Sequence, residues 1–261
     1  MGKLDKRNVA ITGGCGDIGR ATAGRLLAEG ANVFLLDVLE QEQGRQAARR
    51  VSTDERRVQF LQANVADRSE VARALGEMQS KVGRIDVVIA NAGIVRNQPF
   101  LEITPECWAQ TLDVNLGGSF HIAQLAARIM NEQPPDGHGV RGKILFTGSW
   151  VQDMPWPEGT SYIVSKAGIK ALARNMAQEL SSRGIRVNVV APGIVMAGLS
   201  RQVYETDPDF GPRATAAIPL GEFGTAEQVA DAFAFLCGPE SDYMTGSVLL
   251  VDGGASLVKR Q

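Results

Sequence analysis

The sequence predicts an α/β protein built on a parallel sheet, on two observations. Short, almost wholly apolar runs rich in β-branched residues alternate with longer amphipathic stretches along the chain, and the first run ends in a glycine-rich turn that opens a helical pattern. Nearly continuous apolar character marks strands covered on both faces. Strand–helix alternation implies right-handed βαβ crossovers. Seven strands fit an open sheet, or a barrel with one strand unseen, so periodicity alone leaves both topologies standing.

The first strand is NVAIT (8–12), and a helical pattern follows over 18–29. NVFLL (32–36) leads into a helix at 40–51, and RVQFL (57–61) into one at 67–82. IDVVIA (85–90) precedes a long helical pattern, 105–131, rich in Ala, Leu and Ile. KILFT (143–147) precedes another at 160–183, and IRVNVVA (185–191) follows directly. A helix at 226–237 and the strand SVLLV (247–251) complete the alternation. Two stretches read as irregular: the polar connection NEQPPDGHGVRG (131–142), and 193–223, which lacks a clear strand period. A long irregular segment in a compact domain is often a functional lid.

Composition narrows the classes. Lys+Arg 27 against Asp+Glu 29 gives a net charge of −2, with no general pull toward nucleic acid or an anionic membrane. Hydrophobic residues at 44% and charged residues at 21% argue against disorder. The 29 glycines show no G-X-Y period, so they serve particular backbone positions. Cys15, Cys107 and Cys237 form no CxxC pair, and His121 and His138 have no ligand pattern, so no disulfide framework and no metal site are expected. The N-terminus lacks an apolar signal core, and Lys6 stands where myristoylation of Gly2 calls for Ser or Thr. No run approaches the roughly 18 apolar residues of a membrane span. The expectation is a soluble, cytoplasmic protein.

TGGCGDIG (12–19) joins the first strand to a helix. Such a turn presents backbone N–H groups at the positive end of a helix, which suits a diphosphate. It nearly matches TGxxxGxG, with Gly13 and Gly19 in place and Asp17 where the middle glycine would stand. Asp37 closes NVFLLD at the end of the second strand. A carboxylate there accepts both hydroxyls of an adenine ribose and repels a 2′-phosphate. Neither Gly14, Cys15 and Gly16 nor Val38 supplies a cation for such a phosphate, so NAD is favoured over NADP.

Tyr162 and Lys166, at i and i+4, share one helix face. A phenol of ordinary pKa near 10 is a poor base at neutral pH. A nearby ammonium stabilises the phenolate and lowers that pKa. Ser149 follows the strand KILFTG upstream of this helix.

In their order and spacing, TGGCGDIG (12–19), Asp37, Asn91-Ala92-Gly93, Asn115 within VNLGG, Ser149, Tyr162xxxLys166 and Pro192-Gly193 resemble the short-chain dehydrogenase/reductase family over essentially the whole chain. The resemblance implies a doubly wound Rossmann-type fold, a seven-stranded parallel sheet flanked by helices. It implies one dinucleotide-binding oxidoreductase domain over 1–261, with a substrate lid at about 193–223. It assigns Tyr162 as general acid/base and Ser149 as hydrogen-bond donor to the substrate oxygen. Lys166 would hold the nicotinamide ribose and lower the tyrosine pKa, and Asn115 would support a water-linked proton relay. The implied cofactor residues are Gly13, Cys15, Gly16, Asp17, Ile18 and Gly19 in the first turn and Asp37, Asn64 and Val65 toward the adenosine. Asn91, Ala92, Gly93, Tyr162, Lys166, Pro192, Gly193 and Val195 complete the implied set.

Three positions depart from the family pattern. Asp17 brings a carboxylate to the diphosphate turn, which lowers affinity unless it turns outward or caps the helix. Asn64 stands where Asp is common, and Ala197 where a Thr commonly contacts the carboxamide. The substrate wall is expected at Ile94–Gln98, Trp150–Trp156 and 194–210, with Ser149, Val151, Met154, Trp156 and Tyr162 as contacts. Trp150 and Trp156 suit pocket lining and core or oligomer packing about equally. MPWP (154–157) is similar to a segment of glucose 1-dehydrogenase-like members, pointing to a sugar, polyol or related small hydroxy compound. A 3-oxoacyl carrier-protein reductase is the enzymatic alternative, with Arg96, Arg201 and Arg213 available to an acidic carrier. An NAD-sensing or scaffold protein is the non-enzyme alternative, against which the intact Ser149, Tyr162 and Lys166 argue. The family's habit implies a homotetramer or homodimer.

Overall fold

Seven parallel strands form one open sheet in the order β3-β2-β1-β4-β5-β6-β7 in a computed structural model that describes residues 2–257, apart from the side chains of Leu199 and Gln202. Met1 and residues 258–261, the ends of the span assigned to one domain, lie outside the described residues. The strands are β1 Asn8–Thr12, β2 Asn32–Asp37, β3 Val58–Gln62, β4 Val87–Ala90, β5 Gly142–Thr147, β6 Ile185–Pro192 and β7 Val248–Val251. Each begins and ends within two residues of its sequence-derived run. β3 and β7 are free edges, so the barrel is excluded and the doubly wound, Rossmann-type sheet is the fold.

Side chains alternate across the sheet as the strand period requires. Ala10, Phe34, Leu36 and Ile144 face one core, closed by α3 (Arg68–Val82), α5 (Gly118–Glu132) and α6 (Thr160–Leu180). Val9, Ile11, Leu35 and Leu145 face the other, closed by α1 (Asp17–Ala28), α2 (Gln41–Val51) and α9 (Ala226–Cys237). Phe34, Phe146 and Phe233 are fully enclosed, each stabilising the fold by about 1.5–3 kcal/mol relative to exposure. The chain runs outward from β1 to β3, then returns across β1 to β4. The crevice beyond the carboxyl ends of β1 and β4 is therefore the switch point at which open α/β sheets bind ligands.

Two sequence expectations are corrected. The stretch 105–131 is not one regular helix: α4 (Pro105–Leu112) passes through a π-helical turn, Asp113–Gly117, into α5. A Cβ on Gly118 would come within 2.6 Å of Val65, so the rod is pressed onto the β3 end of the sheet just after this turn. About half of the stretch 193–223 is helical, in α7 (Gly198–Thr206) and α8 (Phe210–Ala216). Its helices are too short, and too divided by Asp207-Pro208-Asp209, to show a long apolar period. From α8 and its exit, Ala214 and Ile218 join Trp150, Val151 and Ile194 in a small third core above the sheet. Among the described residues no helix is long and apolar enough to cross a membrane.

Candidate active site

The turn after β1 is shaped by close backbone approach. Gly13 has φ +59, and a Cβ there would lie 2.8 Å from Ala92 Cα. A Cβ on Gly19 would stand 2.4 Å from the Gly13 carbonyl oxygen, so only glycine lets α1 start against the turn. Thr12 ties this turn to the end of β4: its hydroxyl accepts the Asn91 N–H (3.0 Å) and the Ala92 N–H (3.1 Å). The Asn91 amide in return donates to the carbonyls of Thr12 (3.1 Å) and Gly13 (3.2 Å). Gly16 is the N-cap of α1, and no described side chain caps it. Gly13, Gly16, Asp17, Ile18 and Gly19 line the wall of a cleft of about 1320 Å³. N–H donors at a helix start, with no Cβ in the way, fit the diphosphate of a dinucleotide.

Asp37 lies at one end of the cleft. Its carboxylate accepts the N–H groups of Cys15 (3.0 Å) and Val38 (2.9 Å). Val38 is apolar and exposed. Arg20, the guanidinium beside the turn, donates to the Cys15 carbonyl (2.6 Å) and to Asp17 (2.8 Å). Asn64 and Val65 line the same end; the Asn64 side chain accepts the Ala66 N–H (3.0 Å), and the Val65 carbonyl pairs with His121 Nδ1 (3.0 Å). Cys15 departs from its expected place: its side chain is buried away from the cleft, and burial pushes its thiol up to about 12. Only its backbone serves, by holding Asp37.

Asp17 stays in the cleft wall with its carboxylate engaged on both sides. Its carboxylate accepts from Arg20 and from the Gly198 N–H (2.9 Å), and lies 3.5 Å from the Arg201 guanidinium.

At the other end β5 delivers Ser149 one residue past Gly148, and α6 carries Tyr162 and Lys166 on successive turns. Tyr162 and Ser149 both line the cleft, with the Ser149 hydroxyl near enough to favour the Tyr162 phenolate. Burial raises the Tyr162 pKa above its ordinary value, and the neighbouring Ser149 hydroxyl pulls against that rise. Lys166 is buried behind them, donating to the Thr147 carbonyl (2.7 Å) with its Nζ 5.5 Å from the Tyr162 ring centre. Burial lowers its pKa to about 8.

Asn115 sits in the π-helical turn and is fully buried, outside the cleft lining. Its Oδ1 accepts the Ile94 N–H (2.8 Å), and its Nδ2 donates to the Ile94 carbonyl and to Ser165 Oγ (both 3.0 Å). Asn115 and Lys166 converge on Gly93: a Cβ there would stand 3.3 Å from Asn115 Oδ1 and 3.7 Å from Lys166 Nζ. Asn91, Ala92 and Gly93 line the cleft floor, and Pro192, Gly193, Val195 and Ala197 the facing wall.

Of the substrate positions, Val151 and Trp156 line the cleft, whereas Met154 lies behind them in the third core. Trp150 and Trp156 meet edge to face at 5.1 Å and both line the cleft, so they pack and enclose at once. Thr12 and Thr147 are site residues that sequence reasoning missed. Their signal was a hydroxyl ending an otherwise apolar strand on the side where open sheets bind ligands.

Residues 15–256 match the family described as enoyl-(acyl carrier protein) reductase. The chain is 34% identical over 252 residues to a 3-oxoacyl-(acyl-carrier-protein) reductase of Thermotoga maritima, covering 97% of this chain and 98% of that one. It is 32% identical over 253 residues to an L-2,3-butanediol dehydrogenase of Corynebacterium glutamicum, covering 94% and 96%. Among solved structures it superposes with TM-score 0.90 and 30% identity on a gluconate 5-dehydrogenase from Burkholderia cenocepacia in complex with NADP and tartrate, covering 98% and 97%.

Proposed function

The chain belongs to the short-chain dehydrogenase/reductase family, oxidoreductases of hydroxyl and keto groups that bind a nicotinamide cofactor, and on that premise we propose that it couples NAD to a small secondary alcohol or ketone of the sugar or polyol class. The observation that carries the reaction is the pairing of Ser149 and Tyr162 in the cleft wall with Lys166, its Nζ 5.5 Å from the Tyr162 ring centre, behind them.

In alcohol oxidation Tyr162 takes the hydroxyl proton while Ser149 donates to the same substrate oxygen. Lys166 stabilises the phenolate by charge, and its hydrogen bond to Thr147 fixes where that charge sits. In ketone reduction the two hydroxyls polarise the carbonyl and Tyr162 returns the proton. Bound nicotinamide supplies the two-electron acceptor or donor. Asn115 clamps Ile94 and meets Lys166 at Gly93, which supports its part in a proton relay from that lysine. α7 and α8 are the lid.

Asp37 supports NAD: a carboxylate already accepting two N–H groups, followed by exposed Val38, offers a ribose a hydrogen-bond acceptor and a 2′-phosphate a repulsion. Trp150, Val151, Trp156 and Phe210 bound the substrate end, and Asn97 and Gln110 add polar contacts, which suits a small, partly polar molecule. The relative's name supports a second reading, reduction of a 3-oxoacyl thioester on a carrier protein. Against it, Arg213 in the cleft wall is already paired with Asp207 (2.7 Å). Exposed Trp108, Phe120 and Val164 on α4, α5 and α6 support a homodimer or homotetramer.

Purified protein assayed with NAD and NADP against sugars, polyols, secondary alcohols and 3-oxoacyl thioesters tests this. Turnover of a polyol with NAD at several times the NADP rate is expected. Thioester reduction preferring NADPH would replace it with the second reading. Tight NAD binding without turnover across the panel would replace both with a sensor.

A further inference from the structure

Asp17 bridges the two walls of the cleft. It opens α1 on the turn side; Gly198, 181 residues later, opens α7 on the lid side, and both line the cleft. α7 has no side-chain cap of its own, because its N-cap is Ala197. The Asp17 carboxylate supplies one from across the cleft, accepting the Gly198 N–H at 2.9 Å. An acceptor at a helix start satisfies an orphan donor and meets the positive end of the helix dipole. The reach depends on Gly198, whose φ of +50 is a conformation that disfavours any side chain. Arg20 holds the carboxylate from the α1 side (2.8 Å), and Arg201, whose other nitrogen donates to the Met196 carbonyl (3.1 Å), approaches it from α7. With 20% of its side-chain surface exposed, the carboxylate keeps contact with the cleft.

We propose that Asp17 clasps the first turn of α7 onto the diphosphate turn and thereby sets the affinity for the cofactor. The clasp gives lid order without a cofactor, at the expense of a fixed negative charge beside the N–H groups that a diphosphate uses. Ordering α7 beforehand favours binding, and the charge opposes it. Removing the carboxylate separates the two effects. Asp17→Gly loses the clasp and the charge; Asp17→Asn keeps an acceptor for the Gly198 N–H and loses the charge with both ion pairs.

The affinity half rests on the reading of this turn as a dinucleotide site, and the test separates that dependence. Hydrogen exchange of 198–206 is measured on cofactor-free native, Asp17→Gly and Asp17→Asn proteins, and NAD binding by calorimetry on the same three. Asp17→Gly is expected to exchange about fivefold faster across 198–206 than native, the loss of a capping contact. Asp17→Asn should exchange at an intermediate rate and bind NAD about three- to tenfold more tightly, as expected on removing a like charge at partial exposure. Unchanged exchange in Asp17→Gly overturns the clasp, and weaker NAD binding by Asp17→Asn overturns its effect on affinity. Failure of the native protein to bind NAD or NADP overturns the dinucleotide reading and the affinity half with it, while the exchange measurement still decides the clasp.

Discussion

The two ends of the cleft are made of different material. At the β1–α1 end the working parts are backbone: N–H groups exposed by Gly13, Gly16 and Gly19, with side chains kept out by contacts as short as 2.4 Å. At the β5–α6 end the connection runs through a 3-10 turn, Trp150–Gln152, and Glu158 at φ +62, and the proposed working parts are the side chains of Ser149, Tyr162 and Lys166. A backbone site is lost by adding an atom, and a side-chain site by removing one. Binding and chemistry therefore answer to opposite kinds of substitution.

The sharpest attempt to break that contrast is Tyr162→Phe. Loss of one oxygen is expected to lower turnover by about 10²–10⁴-fold in a steady-state assay while NAD binding by calorimetry stays near native. Near-normal turnover would remove Tyr162 from the chemistry. Next comes Gly19→Ala, which adds one carbon that the Gly13 carbonyl and Gly14 Cα cannot both admit. It should abolish measurable NAD binding and lower stability by about 1–3 kcal/mol in denaturant unfolding. Unimpaired binding would show that the turn does not hold the diphosphate.

The smallest effect is in pH. Lys166 carries its ammonium below about 8 and loses it above, and the proposed relay returns to Tyr162, through that ammonium, the proton each reduction spends, so the rate of ketone reduction should fall as pH rises through about 8. A reductive profile flat to pH 10 would detach Lys166 from the step. Stability runs the other way. The buried ammonium weighs fully against the fold below about 8, and that weight lifts as pH rises toward the free-lysine value of 10.5.

The strands were legible in the sequence because an apolar run of five is a local signal; Ser149, Tyr162 and Lys166 stood out through the joint order and spacing of several motifs rather than through any one of them. What was not legible depends on distance. Asp17 reads as an awkward charge until Gly198 lies beside it. Cys15 reads as a cofactor contact until the turn folds its thiol inward and leaves only its N–H at Asp37. Asn115 reads as a relay residue, and the structure adds the grip on Ile94 that a single sequence does not encode. The helices of 193–223 were hidden because each is short and packs only a few side chains on the third core.

The π-helical turn at Asp113–Gly117 has one further consequence. A regular helix advances about 100° per residue, so the wide turn acts as a gear change in the rod that joins α4 to α5. Before it, α4 buries only Thr111; after it, α5 buries seven residues from Gly118 to Met130 against the sheet. The wide turn absorbs one extra residue, so deleting one of 113–117 would mend the local hydrogen-bond ladder and leave the apolar stripe of α5 facing β4 and β5, at the cost of the turn that places Asn115 against Ile94. The locally imperfect turn lets one rod serve two ends: α4 stays at the surface, and the residue the turn absorbs is spent on the grip at Ile94.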